Sequence, residues 1–296
     1  MFERLRKFKK EITKHWFIFS GTLYSGLTFF LTFVSWEDLG ISQVGIKSAI
    51  LAGILVIALL ASIIWVCFLK STKVVWSCGA RRIVVCYRDI LDVAFKKKHL
   101  GKRIVVIPVE TTFDTVVDED LTAHQCPRIS PKSIHGQWIK RMSDQKFSPS
   151  ALDSMIDADI IAQKLMPTKT LSFEERSWGK PNFYQLGSIV QVPLTKKDVT
   201  FYLLAIAEFD NNNVTHSSRD IIKTCINKLV DFYSTKAQGY DLYIPLMGTG
   251  LAKANLGYIE SLQLIKSELL ACSEKVTGKI SIAIYPGDKD KVSITD

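Results

Sequence analysis

A short apolar run, Ile244–Met247, leads directly into Gly248-Thr249-Gly250. Two glycines with one residue between them let successive backbone N–H groups turn inward and converge on an anion, the chemistry of a phosphate cradle. The spacing is not that of a Walker loop. Nor is it a dinucleotide fingerprint, because Lys253 stands where the third glycine would be. A plain strand-to-helix turn fits the same residues, with Asn255 as the expected N-cap. A second candidate anion site is Ile129–Trp138, ISPKSIHGQW. Here Ser130 is expected to cap a helix and Pro131 to take its first position, leaving the amides of Lys132 to Ile134 open to a phosphate. His135 and Gly136 fall on the first turn, where the imidazole is either a base or a packed structural residue.

Two further positions complete the set. Asp89 follows an apolar stretch ending at Tyr87; its carboxylate can accept from an exocyclic amine such as that of adenine, or cap the helix that follows. Tyr285 ends the last apolar run, where its ring can stack on a base or pack at the edge of the core.

These residues need a frame that brings strand ends together. Strands are expected at Arg82–Tyr87, Arg103–Val109, Ser188–Pro193, Thr200–Ala207, Asp241–Met247 and Lys279–Pro286, each short and rich in β-branched or aromatic residues. Helices are expected at Ile90–Lys98, Ala151–Leu165, Ser218–Lys236 and Asn255–Cys272. Strands alternating with helices indicate an α/β sandwich on a largely parallel sheet, and in such folds ligands bind beyond the carboxyl ends of the strands. Met166–Phe183 is the least regular stretch and is expected to be a surface loop.

Ahead of this part lie two uncharged apolar runs, Trp16–Trp36 and Ser48–Leu69. Each has about the 20 residues a helix needs to cross a hydrocarbon core. Neither shows the polar stripe of a helix on a soluble core. Two transmembrane helices are therefore expected, about 16–36 and 48–69. Arg4, Arg6, Lys7, Lys9, Lys10 and Lys14 precede the first run and Lys70, Lys73, Arg81 and Arg82 follow the second, against Glu37 and Asp38 in the turn. The positive-inside bias then makes both termini cytoplasmic. Residues 1–70 form a basic tail and membrane hairpin, and residues 71–296 one cytoplasmic domain. Gly21/Ser25 and Ala49/Gly53 have the small-xxx-small spacing that lets helices pack closely in lipid.

The charge follows the same division. The chain carries 38 Lys+Arg and 29 Asp+Glu, a net +9; residues 1–70 hold 8 and 4 of these, leaving 30 and 25 in residues 71–296. The basic excess is thus partly a topology signal, and nucleic acid is not required as a partner. The composition, 47% hydrophobic and 23% charged with a mean hydropathy of +0.14, excludes disorder and collagen-like repeats. Cysteines 67, 78, 86, 126, 225 and 272 form neither a CxxC pair nor a metal-like cluster, so free thiols and no metal are expected. The sequon Asn213-Val214-Thr215 faces the cytoplasm in this topology and is expected to be idle.

Taken in order, these features resemble the macro-domain family, an ADP-ribose-binding α/β module. The places of its signature are filled here by Asp89-Ile90, Thr112-Phe113-Asp114, Ser133-Ile134-His135-Gly136, Gly248-Thr249-Gly250-Leu251 with Ala252, and Tyr285. The stretches YQLGSIVQV, YLLAIAEFD and IPLMGTGLAKANLGYIESL carry much of the match, and the resemblance covers about residues 75–290. With its two N-terminal spans and its SIHGQ and IPLMGTGLA loops, the chain is most similar to a divergent branch, the transmembrane macro-type ThsA effectors of Thoeris antiphage defence. The resemblance implies a three-layer α/β/α domain with a mixed, largely parallel sheet behind two N-terminal transmembrane helices. It also implies a bacterial inner-membrane location and a ligand derived from ADP-ribose, the histidine-conjugated form made from NAD by a partner TIR-domain protein. Ligand binding would lead to homo-oligomerisation, disruption of the lipid bilayer and abortive infection. No cofactor is implied.

One departure bears on catalysis. Active macro hydrolases commonly carry asparagines in the turn that is Glu110–Asp114 here, and this chain has none there. That favours a ligand reader without catalytic residues. The alternatives are a membrane-tethered ADP-ribosyl hydrolase, with His135, Asp114 and a water as its actors, and a protein-docking module at the membrane. In the reader, Asp114 either orients the distal ribose or simply ends its strand.

Overall fold

The computed structural model describes residues 9–68, 71–96, 101–118, 129–176, 179–209, 215–250 and 254–296. The chain divides into two compact units, Met1–Lys70 and Ser71–Asp296.

The first unit contains two helices, α1 (Lys9–Leu31) and α2 (Val44–Phe68). They pack on each other, and two polar tips are satisfied across the pair: Trp16 Nε1 donates to the Leu55 carbonyl at 3.0 Å and Tyr24 Oη to the Leu51 carbonyl at 2.8 Å. Thr22, Thr28 and Thr32 return their hydroxyls to carbonyls one turn earlier, which satisfies them within the helix. Of the two expected spans, Val44–Trp65 within α2 is the one helix among the described residues that is long and apolar enough to cross a membrane. Its apolar side chains lie outside, Val56, Ile57, Leu60 and Ile64 each being more than half exposed. The first expected span is helical only to Leu31. Beyond it the Asp38 carboxylate accepts from both the backbone and the hydroxyl of Ser35, at 2.9 and 2.7 Å, and draws the chain into a turn.

The second unit is a three-layer α/β/α sandwich. Its strands are β1 (Thr72–Cys78), β2 (Arg81–Tyr87), β3 (Arg103–Glu110), β4 (Lys169–Thr170), β5 (Asn182–Phe183), β6 (Ile189–Leu194), β7 (Val199–Phe209), β8 (Thr215–His216), β9 (Asp241–Pro245) and β10 (Lys279–Ile284). The helices are α3 (Ile90–Phe95), α4 (Ile134–Asp144), α5 (Pro149–Gln163), α6 (Arg219–Lys236) and α7 (Tyr258–Ala271). An eight-stranded sheet runs β1-β2-β10-β9-β3-β7-β6, with β8 added to β7. Neighbours from β2 to β7 are parallel, while β1, β6 and β8 pair antiparallel.

Both faces of the sheet are covered, which is why its strands read as continuous apolar runs. Along β3, Ile104 and Val106 enter one core layer and Val105, Ile107 and Val109 the other. On β7, Tyr202, Leu204 and Ile206 face one way and Phe201, Leu203 and Ala205 the other. Helices α6 and α7 close the first layer; α3, α4 and α5 close the second. The pattern of α6 is plain: Ile222, Cys225, Ile226, Leu229, Val230 and Tyr233 recur every three or four residues and are all buried, behind a Ser218 cap.

Several expected boundaries move. Helix α7 starts at Tyr258 and not at Asn255, which takes a left-handed φ of +52°; Gly257 is the N-cap, its N–H held by Glu260 at 2.8 Å. Helix α4 starts at Ile134 behind Ser133, because Ser130 closes a preceding turn by accepting the Ser133 N–H at 3.0 Å. The expected loop 166–183 contains a small hairpin, β4–β5, with Lys169 opposite Phe183 and Thr170 opposite Asn182. Strand β1, an exposed edge strand, was not among the expected elements.

Candidate functional site

The parallel strands β2, β10, β9 and β3 lie side by side, so their carboxyl ends form a row. Each end carries one of the candidate segments: Asp89 after β2, Tyr285 after β10, Gly248-Thr249-Gly250 after β9, and Thr111–Asp114 after β3. Three strand spacings of about 4.8 Å put the two ends of this row about 14 Å apart.

Asp89 is the N-cap of α3: Oδ1 accepts from the N–H of Leu91 at 2.8 Å and from that of Asp92 at 3.3 Å. Ile90 is buried in the core. Arg88, just before the cap, lies over the Tyr243 ring at 5.9 Å, and its Nη1 is buried with no acceptor among the described residues. Tyr285 is 57% exposed at the neighbouring strand end, and its ring lies so close to Gly287 that a Cβ there would stand 2.6 Å from Cε1.

The glycine loop leaves β9 through Met247, whose N–H and carbonyl are both held by the Ser261 hydroxyl of α7, at 3.2 and 2.7 Å. Gly248 has φ +81°, and a Cβ on it would meet Ala254 Cβ and Leu256 Cδ1 at 3.0 Å. Glycine is therefore needed there for both backbone and space. Gly250 is exposed, with nothing within 4 Å of a Cβ among the described residues, and Thr249 is half-buried between them. Leu251 and Ala252 lie outside the described residues.

Ser133 caps α4 by accepting the Gly136 N–H at 2.9 Å while donating its own hydroxyl to the Ser130 carbonyl at 2.7 Å. The amides of Lys132 and Ser133 are taken by Ser130, so the open N–H groups at this helix start, among the described residues, are those of Ile134 and His135, and of the expected three only Ile134 remains. Gly136 is fixed by packing: a Cβ would overlap the Ser130 carbonyl oxygen at 2.3 Å. His135 is buried beside Asp114 and Trp138, and its Nε2 has no partner among the described residues. Burial, with Lys180 nearby, drives its pKa down to about 4 against the opposing pull of Asp114, leaving a neutral imidazole.

The turn after β3 is closed on itself. Glu110 Oε2 accepts the Thr112 hydroxyl at 2.6 Å and the Thr112 N–H, and Oε1 accepts the Asp114 N–H at 2.9 Å. This clasp holds Phe113 at φ +52°, a left-handed conformation costly for a bulky residue, with its ring fully buried against Tyr184. Thr112 is buried with it. Asp114 is also occupied: Oδ2 accepts from Arg176 Nη2 at 2.7 Å and Oδ1 from the Lys180 N–H at 2.8 Å. Burial and the adjacent Glu110 carboxylate raise the Asp114 pKa, opposed by Arg176 and its hydrogen bonds. In this arrangement Asp114 is buried and holds a neighbouring segment through both of its oxygens.

Arg176 and Lys180 were not among the sequence candidates. They lie 62 and 66 residues from Asp114 in the stretch read as featureless, and no local pattern marks a contact of that separation. Among the described residues no group of three His, Cys, Asp or Glu is placed to hold a metal.

Residues 83–285 match the family described as Thoeris protein ThsA, macro domain. A curated relative, Thoeris protein ThsA of Bacillus amyloliquefaciens strain Y2, is 23% identical over 272 residues, covering 88% of this chain and 81% of its own. Among solved structures, a point mutant of the Oceanobacillus iheyensis macrodomain aligns with a TM-score of 0.46 at 8% identity, over 74% of this chain and 88% of that chain. The same macrodomain with ADP aligns with a TM-score of 0.39 at 8% identity, over 72% and 88%.

Proposed function

The chain belongs to the Thoeris ThsA macro-domain family, and on that premise we propose that it is a membrane-anchored antiphage effector whose macro domain reads an ADP-ribose-derived signal. The observation that carries this reading is the order of the strand-end row. Asp89 and Tyr285 at one end suit an adenine. The glycine loop, with the open amides of Ile134 and His135, suits a diphosphate. The turn after β3 then lies where a second sugar would reach. The order is that of the parts of ADP-ribose, spread over a row about 14 Å long.

The signal in this reading is a histidine-type conjugate of ADP-ribose made from NAD by a TIR-domain partner. The Asp114 carboxylate is buried and paired with Arg176, which favours a reader over a hydrolase that would need it free to act on a water. The first unit is the effector part, with spans at about 16–36 and 48–69 and both termini cytoplasmic. The exposed apolar surface of α2 supports lipid as its surroundings. Two thin helices enclose no path alone, so several copies must assemble, and ligand must favour the assembled state by differential affinity. Turning a mostly closed population mostly open requires about 5 kcal/mol of such preference.

The test is dye release from liposomes carrying the full-length protein, with ADP-ribose or its histidine conjugate added. Release and oligomerisation on addition are expected; leakage unchanged by either ligand sinks the reading. Replacing the two helices by a soluble tag should keep ligand binding and remove toxicity.

A further inference from the structure

The hairpin of residues 167–183 is fastened to the turn after β3 at several points. Tyr184 donates its N–H to the Thr111 carbonyl at 2.9 Å, Lys180 its N–H to Asp114 Oδ1, and Arg176 Nη2 pairs with Asp114 Oδ2 at 2.7 Å. Lys180 Nζ reaches Asp153 Oδ1 on α5 at 2.7 Å, and Thr115 donates to that same oxygen at 2.8 Å. Gly179 takes φ +86°, and a Cβ on it would stand 2.7 Å from Asp114 Oδ2 and 2.8 Å from Arg176 Nη2. Arg176 is 9% exposed, and its guanidinium also covers the Phe183 ring at 4.9 Å.

A buried ion pair of this kind adds little stability over apolar side chains of the same shape, but breaking one side of it is costly. What it secures is position. The Arg176 cation also cancels one of the two carboxylates, Glu110 at the end of β3 and Asp114 in the turn after it, that would otherwise repel an anionic ligand.

We propose that the hairpin 167–183 is the selectivity wall at the sugar end of the site, and that Arg176 is the positioning residue that holds this wall by binding Asp114. This rests on the reading of the strand-end row as an ADP-ribose site. The ligand class is a nucleoside diphosphate extended by a second sugar. ADP ends at the glycine loop and does not reach the wall, whereas ADP-ribose meets it.

The experiment is calorimetry on the full-length protein in detergent, with ADP and ADP-ribose as probes. Wild type is expected to prefer ADP-ribose. The double variant Asp114→Asn with Arg176→Met, which removes both members of the pair and leaves the net charge unchanged, should bind ADP-ribose about tenfold more weakly and ADP within about twofold of wild type. Gly179→Ala presses on the Asp114–Arg176 pair and displaces the hairpin while keeping both charges, and should reduce the same preference, which keeps the test open if the double variant does not fold. An unchanged ratio of the two affinities, or equal loss of both, overturns the wall and leaves the site reading intact. Wild type that binds neither probe overturns the site reading and the wall together.

Discussion

Gly136 on the first turn of α4 lies directly beneath the Ser130 carbonyl, so near that a Cβ would sit 2.3 Å from the oxygen and 3.0 Å from Pro131 Cα. Backbone cannot yield as a flexible side chain can. Gly136→Ala should therefore push the 130–133 turn away and cost about 1–3 kcal/mol, as overpacking does. Because the same shift moves the open amides of Ile134 and His135, ADP-ribose affinity should fall together with the melting temperature. A variant that melts and binds like wild type contradicts this geometry.

The two glycines after β9 should separate. Gly248→Ala forces an L-residue to φ +81° and presses on Ala254 and Leu256, costing about 1–2 kcal/mol from the backbone alone. A methyl on Gly250 meets nothing within 4 Å among the described residues, so Gly250→Ala should change stability by less than about 0.5 kcal/mol. Gly250→Glu should fold equally well and lose binding, since it sets a like charge in the phosphate cradle. Chemical denaturation measures the first contrast and calorimetry the second.

The legible parts of the molecule are those where local pattern and burial agree. Strands β2, β3, β7, β9 and β10 are apolar runs because both faces of the sheet are covered, and α6 shows its buried stripe every three or four residues. Strand ends could therefore be located, and with them Asp89, the glycine loop and the turn after β3. What was not legible depends on contacts without a local signature. The Asp114–Arg176 pair joins residues 62 apart. Asn255 resembles a cap, yet its side chain yields to a left-handed backbone, and Gly257 with Glu260 does the capping. The first apolar run keeps its hydropathy to Trp36, but the Ser35–Asp38 hydrogen bonds end the helical part earlier.

Two core tyrosines should respond in opposite directions to loss of the hydroxyl. Tyr202 is fully buried with no hydrogen-bond partner for its hydroxyl among the described residues, whereas Tyr233 donates to the Tyr240 carbonyl at 2.7 Å. An unsatisfied buried hydroxyl carries its desolvation cost with no return, so Tyr202→Phe should be neutral or stabilising by up to about 1 kcal/mol. Tyr233→Phe removes a made bond and strands a carbonyl, and should cost about 1 kcal/mol. Urea unfolding of both variants beside wild type gives the comparison directly.

The buried His135 should make the fold sensitive to mild acid. With its folded pKa pushed down to about 4 from an ordinary value near 6.5, the unfolded chain binds more protons between those limits. Stability therefore rises with pH across this window and is lost as pH falls from about 6.5 towards 4, by up to roughly 3 kcal/mol for this group. Asp114 beside it has a raised pKa, so its own contribution runs the other way, with stability gained as the pH falls through that pKa. The clean measurement is thus the difference between wild type and His135→Gln, which keeps a polar side chain of similar reach and does not titrate. The stability advantage of wild type over the variant should shrink steadily from pH 7 to pH 4.5. A difference independent of pH would mean that the imidazole is not held neutral by burial.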